Sequence, residues 1–430
     1  GLVLSRPGLP ICAGLVVAVG VRLPVAWGAR TVSGFRVRRT GTVLLAAVLA
    51  VLPAGCRQHD DETGAQRGVI ATPVASRTTA PVGRLVPGCP AASHLPGEAN
   101  TSAAAVNKLV ETARSPDWQA ADIGASGMLS DGRIAWLFGD TVRGAGSEPR
   151  IVANSMVVST GACVSVLVQP DRGPVIPDVR TNVVRWPMSV AVLHRPGFDG
   201  LVVLCSRIRR DGFGSYDFTY LGSSAAVFHI LPGGVPVLNR IVDLTSDDED
   251  PYQVNWGSAA TVAGDWFYVY GTQRAREPLT FGRALYVARA PIDDPGDRRK
   301  WRWWDGSTWQ PDEQDAAPVL PAERGVSQTL SVQHVGDGFV AVSKRGGDLA
   351  DFVYTWSAPG PTGPWTARRA LRAPFENDAK VLSYAPLGHP EIKLASGRLL
   401  ISISRNTTDF QRLIADPTIG RPLFAEVERP

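Results

Sequence analysis

The sequence predicts an all-β fold, a five-bladed β-propeller preceded by a signal or anchor segment and a flexible tether. Two observations lead to this prediction. The chain has 430 residues with 44 Gly and 34 Pro, so turns are frequent, and the stretches between them are rich in Val, Trp, Phe and Tyr, which favour strands. In addition, one hairpin-like pattern recurs along the chain after residue 122.

The recurring pattern is a short alternating strand, a turn that contains Gly, and a strongly apolar strand. The instances are GMLSDGRIAWLFGDT, AVLHRPGFDGLVVLCSR, ATVAGDWFYVYGTQR, SVQHVGDGFVAVSKR and EIKLASGRLLISISRN. Their turn glycines are Gly132, Gly200, Gly264, Gly338 and Gly397, with gaps of 68, 64, 74 and 59 residues. Each gap accommodates one four-stranded blade with its loops, so residues 101–430 are expected to hold five blades. A β-sandwich is the alternative, although it would not require such regular spacing.

The stretch 36–56 has the features of a signal peptide: arginines, then an apolar run, then small residues. The run is shorter than the ~20 apolar residues that a transmembrane helix needs. Its Ala-Gly-Cys ending is similar to a bacterial lipobox and predicts lipidation of Cys56. An exported lipoprotein, held at the outer face of the cytoplasmic membrane or in the cell envelope, is therefore expected. Pro53 departs from the lipobox pattern and leaves simple cleavage or an uncleaved anchor as alternatives.

Two further segments flank the signal peptide. Residues 1–35 contain an apolar stretch that Arg22 and Pro24 interrupt, which argues against a membrane-spanning helix. This N-terminal extension is either an over-extended gene start or, less favoured, a membrane segment. Residues 57–100 are rich in Thr, Ala, Pro, Gly and charge without periodicity, which is typical of a flexible linker.

Charge and cysteine usage exclude some classes of function. The net charge of +4 is small and no Lys/Arg block occurs, so a nucleic-acid partner is not expected. The cysteines form no CxxC pair and show no zinc spacing, which argues against a structural metal.

In an oxidising compartment Cys89 and Cys163 are the more plausible disulfide, whereas Cys205 lies in an apolar run and is expected to be buried. We expect a monomer.

The hairpin geometry selects two acidic residues. In a propeller the first strand of each blade lines the channel and the second runs back beside it, so the start of one and the end of the other meet at one face. In the first blade these positions hold Asp122 and Asp140. Glycosidic hydrolysis generally uses two carboxyl groups, which predicts that these two are catalytic. The alternative is structural: Asp140 caps a turn and Asp122 opens a strand.

The corresponding positions of the other blades are predicted to bind substrate. They hold Arg207, Asn255, Trp256, Arg274, Gln328, His389, Glu391 and Arg405. Trp256 is expected to stack on a sugar ring, and the arginines to pair with the acids or bind an anionic sugar. The acidic run 243–251 is a candidate calcium site, although such runs are more often solvated, and no other cofactor is expected.

Several motifs together resemble a known family. ADIGASG with its Asp122, WLFGDT with Asp140, NSMVVS beginning at Asn154, NWGSA and GHPEI are similar to the actinobacterial "domain of unknown function 4185" family. Part of that family is classed as glycoside hydrolase family 183, the endo-D-arabinanases. The resemblance spans roughly residues 105–428. It implies a five-bladed propeller in which Asp122 and Asp140 cleave D-arabinofuranose chains, and it adds Asn154 to the substrate-binding residues.

The sequence therefore favours a cell-envelope glycoside hydrolase, endo-acting on the D-arabinofuranosyl chains of arabinogalactan or lipoarabinomannan. Two alternatives remain open. One is a non-catalytic propeller that binds glycan or protein in the envelope. The other is a hydrolase of an anionic sugar, suggested by Arg207, Arg274 and Arg405.

Overall fold

The computed structural model describes residues 82–88, 101–160, 163–212, 217–373 and 381–430. Within these ranges the chain forms almost only strands, arranged in five antiparallel sheets. The predicted extension 1–35, the signal peptide 36–56 with Cys56, and Cys89 lie outside the described residues. No helix among the described residues is long and apolar enough to cross a membrane.

The five sheets follow one another along the chain. Blade 1 contains β1 Arg84–Pro87, β2 Ala120–Met128, β3 Ile134–Val142, β4 Ile151–Val152, β5 Ser155–Thr160 and β6 Cys163–Val168. Blade 2 contains β7 Val183–Arg195, β8 Phe198–Arg210, β9 Phe218–Ile230 and β10 Val237–Asp243. Blade 3 contains β11 Asn255–Ala263, β12 Trp266–Arg274, β13 Arg283–Pro291, β14 Arg302–Trp304 and β15 Trp309–Gln310. Blade 4 contains β16 Ser331–Val335, β17 Gly338–Lys344, β18 Phe352–Ala358 and β19 Thr366–Arg372. Blade 5 contains β20 Val381–Gly388, β21 Leu399–Thr407 and β22 Leu423–Val427.

The sheets close into a ring. The innermost strands β2, β7, β11, β16 and β20 contact one another in that order, and β20 returns to β2. All five line a narrow central cavity, to which they contribute Ser126, Ser189, Ala260, Ser331 and Gly388. The prediction of a five-bladed β-propeller is confirmed.

A separate apolar cluster holds each pair of neighbouring blades together. The second strand of a blade is buried on both faces, as β8 shows: Leu201 and Val203 pack toward blade 1, whereas Val202 and Leu204 pack toward blade 3. This double burial explains why these strands read as continuous apolar runs rather than as alternating ones. Each such side chain contributes about 1.5–3 kcal/mol of burial free energy.

The hairpin turns lie close to their predicted places. Gly132, Gly264 and Gly397 have φ of 85°, 57° and 71°, the left-handed region that favours glycine. The predicted turn glycines Gly200 and Gly338 are wrong, because they lie inside β8 and β17. The turns there use the glycines at 197 and 336, with φ of 83° and 60°.

Strand β1 and a helix precede β2 in the chain and pack against the blades. Strand β1 lies within the stretch predicted as a linker, yet it pairs with β6 and completes blade 1. That part of the linker prediction is therefore wrong. Helix α1, Ala103–Thr112, is capped by Ser102 and packs on β22, while a second short helix, α2, spans Phe410–Ala415.

The described part of the chain contains two cysteines, Cys163 and Cys205. Cys205 is free and buried, as expected. Cys163 is disulfide-bonded. Its predicted partner Cys89 lies outside the described residues, directly after Gly88, whose backbone N–H donates to the carbonyl of Val164 at 2.8 Å.

Candidate active site

The first hairpin brings the two predicted acids to the same end of blade 1. Asp122 lies near the start of β2 and Asp140 near the end of β3. The register places Ala121 opposite Thr141 and Ile123 opposite Phe138, so Asp122 faces Gly139 and Asp140 across a β-bulge. Bulges often redirect a side chain next to an active site.

The backbone after Asp122 has an unusual conformation. Ile123 has a φ of 68° and Gly124 a φ of 73°. A β-branched residue in the left-handed region is strained, and such strain persists only where the surroundings hold it. The N–H of Ile123 donates to Oγ of Ser404 at 2.8 Å, which fixes the turn from blade 5.

Gly139 provides the space into which the Asp122 carboxyl fits. A Cβ at residue 139 would lie 2.3 Å from Oδ1 of Asp122, far inside van der Waals contact. Only glycine therefore permits this approach between β2 and β3.

The environment of Asp122 favours its protonated form. Burial, and after it the charge of the nearby Asp140, raise the pKa of Asp122 to about 7, although a hydrogen bond from Tyr384 and the charge of Arg210 oppose the shift. The Tyr384 hydroxyl donates to Oδ2 at 2.7 Å. Asp122 can therefore carry a proton near neutral pH.

Asp140 is held by two donors. Its Oδ1 accepts from Nη2 of Arg210 at 2.6 Å and from Nε1 of Trp186 at 2.9 Å. Burial raises the pKa of Asp140 above its usual value, and the charge of Arg210 and the hydrogen bonds from both donors offset only part of that rise. Arg210 also lies over the Trp186 ring, 5.8 Å from its centroid. The two acids thus differ: Asp140 has a cation beside it and Asp122 has a neutral phenol.

Three of these partners were not predicted: Trp186, Arg210 and Tyr384. Strand β8 was expected to end near residue 207 but continues to Arg210. The first strand of blade 5 was expected to begin at His389 but spans Val381–Gly388.

The prediction that Trp256 stacks on sugar is wrong. Its side chain is fully buried, and its ring meets Trp301 edge to face with 6.3 Å between centroids. Its Nε1 donates to Glu313. The bulge between Trp256 and Ala259 turns the indole into the apolar cluster between blades 2 and 3.

Two of the predicted arginines form hydrogen bonds within the fold. Arg207 is buried and donates to the carbonyls of Ser223 and Thr245 and to Asp247. Arg405 donates to the carbonyls of Arg421 and Thr418. The predicted substrate contact of Arg207 is wrong, because its guanidinium is buried inside the blade. That of Arg405, which is half-buried, stays a prediction.

Arg274 is exposed at the end of β12, where the predicted role in binding stays a prediction. Gln328 is half-buried and accepts through Oε1 from Nη2 of Arg283 at 2.9 Å. Asn255 is buried at the start of β11, where its Nδ2 has no hydrogen-bond partner.

Asn154 is buried and structural. Its Nδ2 donates to the carbonyls of Ile176 and Arg185, both at 2.9 Å, and its Oδ1 accepts from the N–H of Ile176. The predicted substrate contact is wrong, because two of these bonds hold Ile176 in the segment before β7 and the third holds Arg185 within β7.

His389 and Glu391 follow the C-terminal end of β20, beyond Tyr384 in the middle of that strand. His389 is fully buried, with Nδ1 2.6 Å from Oγ of Ser126 and Nε2 2.7 Å from Oγ of Ser402. Burial lowers its pKa to about 3, so the ring is neutral. Ser126 also donates to Glu391, whose pKa burial raises to about 7. Their predicted place at the shared mouth is wrong, since they follow β20 instead of opening it.

The acidic run 243–251 is engaged in ion pairs. Asp243 and Asp247 lie 3.3 and 2.8 Å from Arg207, and Glu249 pairs with Arg209. Within the part of the chain that the structure describes, no group of three or more His, Cys, Asp or Glu is arranged to hold a metal ion. The calcium prediction finds no support at this loop.

Comparison with known proteins identifies a family and a shared fold. Residues 107–429 match the family model described as Domain of unknown function (DUF5005). The "domain of unknown function 4185" resemblance stays a prediction. No curated protein sequence matches the chain.

Solved structures have a similar fold. One, from Bacteroides ovatus and provisionally named a hydrolase, has a TM-score of 0.57 and 18% identity, over 75% of this chain and 88% of that one. A GH43_1 enzyme from Xanthomonas citri, complexed with xylose, has a TM-score of 0.40 and 13% identity, over 73% and 89%. An α-L-arabinanase from Cellvibrio cellulosa has a TM-score of 0.39 and 12% identity, over 71% and 91%. At 18% identity the likeness to the Bacteroides ovatus structure concerns the fold alone.

Proposed function

We propose a glycoside hydrolase activity from the premise that this chain belongs to the family described as Domain of unknown function (DUF5005). The single observation that carries the proposal is the pair of half-buried carboxyl groups at one end of blade 1, of which one favours its proton and the other lies against a guanidinium. Glycosidases need this division between an acid and a carboxylate.

Asp122 is the proposed general acid. With a pKa of about 7 it keeps a proton at neutral pH and can donate it to the glycosidic oxygen of the leaving group. As that bond breaks, positive charge develops at the anomeric carbon.

Asp140 is the proposed carboxylate. Arg210 and Trp186 donate to Oδ1 and orient the group. It then acts at the anomeric carbon, either by direct attack or by deprotonating a water molecule. The anomer formed first, measured by NMR during hydrolysis, distinguishes the two routes: direct attack gives retention and activated water gives inversion.

The proposed substrate is the D-arabinan of arabinogalactan or lipoarabinomannan, cleaved within the chain. The ADIGASG and WLFGDT motifs support it through their resemblance to the endo-D-arabinanases. An anionic sugar is less favoured, because Arg207, one of the three arginines that suggested it, is buried and bonds within the fold.

The test is the release of oligosaccharides from purified D-arabinan by the full-length chain. We expect Asp122→Asn and Asp140→Asn each to abolish release with unchanged circular dichroism. Asp337→Asn, an exposed turn residue between β16 and β17, is the matched control and should retain activity. Saturable binding of the glycan without any product would refute the hydrolase and support the binding propeller.

The proposed location is the cell envelope, through lipid on Cys56. The signal-peptide and lipobox-like features of residues 36–56 support it. Labelling of cells with an alkyne fatty acid should mark the wild-type chain but not Cys56→Ala. Equal labelling of the two would refute lipidation at this cysteine. We also propose a monomer, which light scattering would test.

A further inference from the structure

Blade 5 contributes hydrogen bonds to the site around Asp122 in blade 1. Tyr384, in the middle of β20, donates its hydroxyl to Oδ2 of Asp122 at 2.7 Å, although the two residues are 262 positions apart. The amide Nδ2 of Asn406, from β21, donates to the Tyr384 oxygen at 3.5 Å. With a donor on the phenol oxygen, the hydrogen of the tyrosine is directed to Asp122.

The same blade also fixes the backbone beside Asp122. Ser404 of β21 accepts the N–H of Ile123 at 2.8 Å and so holds the left-handed turn. Ser404 and Tyr384 are direct partners in the register of β20 and β21. One pair of neighbouring residues in blade 5 therefore forms hydrogen bonds with both the Asp122 side chain and the backbone that follows it.

We propose that Tyr384 is a positioning residue for Asp122, and that Ser404 supports it by fixing the turn that aims the carboxyl group. The inference rests on the proposed function, in which Asp122 is the general acid. It adds that the acid is assembled only when the first and last blades meet.

The hydrogen bond also determines which oxygen carries the proton. Since the phenol donates to Oδ2, the dissociable proton of Asp122 belongs on Oδ1, the oxygen beside Gly139. The charged and titratable groups that act on Asp122 are Asp140 from β3, Arg210 from β8 and Tyr384 from β20. The pKa of Tyr384 is raised well above 10 by burial and by Asp122, so the phenol remains a donor through neutral pH.

The experiment is a ¹³C NMR titration of the aspartate carboxyl groups in the full-length chain, with Asp122→Asn to assign the resonance. In Tyr384→Phe the ionised form of Asp122 loses a donor, so its pKa should rise by about one to two units. Tyr270→Phe is the matched control: it removes another buried hydroxyl, which donates to the carbonyl of Pro361 at 2.9 Å, and should leave the Asp122 resonance unchanged.

Ser404→Ala provides a second variant that keeps the ring of Tyr384. We expect it to lower kcat with little change in KM, because it affects orientation rather than binding. In Tyr384→Phe the alkaline limb of the pH profile of kcat should shift to higher pH by the same amount as the Asp122 pKa.

An unshifted Asp122 pKa in Tyr384→Phe, or the same shift in Tyr270→Phe, would overturn the inference. If the wild-type chain releases no sugar from D-arabinan but the Asp122 titration shifts as expected, the proposed function fails while the positioning role stands. If sugar is released and the pKa does not move, the function stands and the positioning role fails.

Discussion

Replacing Gly139 by alanine should disable Asp122 while leaving the blade folded. The Cβ would lie 2.3 Å from Oδ1 of Asp122, and the next nearest atoms, Cγ of Asp122 and Cγ1 of Ile123, are both 3.5 Å away. Only the carboxyl oxygen clashes, and it must retreat by about 1.1 Å to reach ordinary contact near 3.4 Å. The backbone of Gly139 is not in the left-handed region, so alanine itself is accommodated.

The expected loss is large for so small a change. A displacement of about 1 Å at a reacting group costs roughly a hundredfold in rate. The retreat also stretches the bond from Tyr384 to Oδ2, which is worth about 1.5–3 kcal/mol when the acid is ionised. Circular dichroism should show an intact fold, because the apolar clusters between blades are untouched.

The assay is kcat on purified D-arabinan, with Gly200→Ala as the control. Gly200 lies in the second strand of blade 2, where a Cβ would meet its nearest atom, Cβ of Leu193, at an ordinary 3.6 Å. That variant should keep wild-type activity. Wild-type kcat in Gly139→Ala, from a folded protein, would refute the assignment of Asp122 as an acid held against this glycine.

Three further outcomes concern single side chains of the fold. Burial, and then the charge of Asp140, raise the pKa of Asp122 from 3.8 to about 7, so the stability that its protonated form contributes is present below pH 3.8 and lost as pH rises through 7. Calorimetry should therefore find Asp122→Asn more stabilising at pH 8 than at pH 4, and an equal effect at both would contradict the shift. Arg207→Gln removes bonds from a buried guanidinium and should cost about 2–3 kcal/mol in urea unfolding without changing kcat. Cys163→Ser removes a disulfide and should cost about 2–4 kcal/mol, whereas an unchanged unfolding midpoint would argue against the bond.

The residues that the sequence placed wrongly share a physical cause. Strand ends were inferred from apolar runs, but polar residues extend β8 to Arg210 through pairing with β9. Arg207, taken as a strand end facing the mouth, is instead inside the blade. Whether a polar side chain meets solvent or a neighbouring carbonyl depends on the adjacent strand, and no local pattern records it. Trp256 illustrates the same point, since a bulge decides which way its ring turns.

By itself, the sequence determined the fold class and the pairing of Asp122 with Asp140, because turn glycines, alternation and a single hairpin are local properties of the chain. Only the tertiary structure decided which groups act on those acids. Tyr384 is 262 residues from Asp122, and Arg210 is 70 residues from Asp140. Contacts between such distant positions form when the ring of blades closes, and burial, which sets the acid pKa values, exists only after that closure.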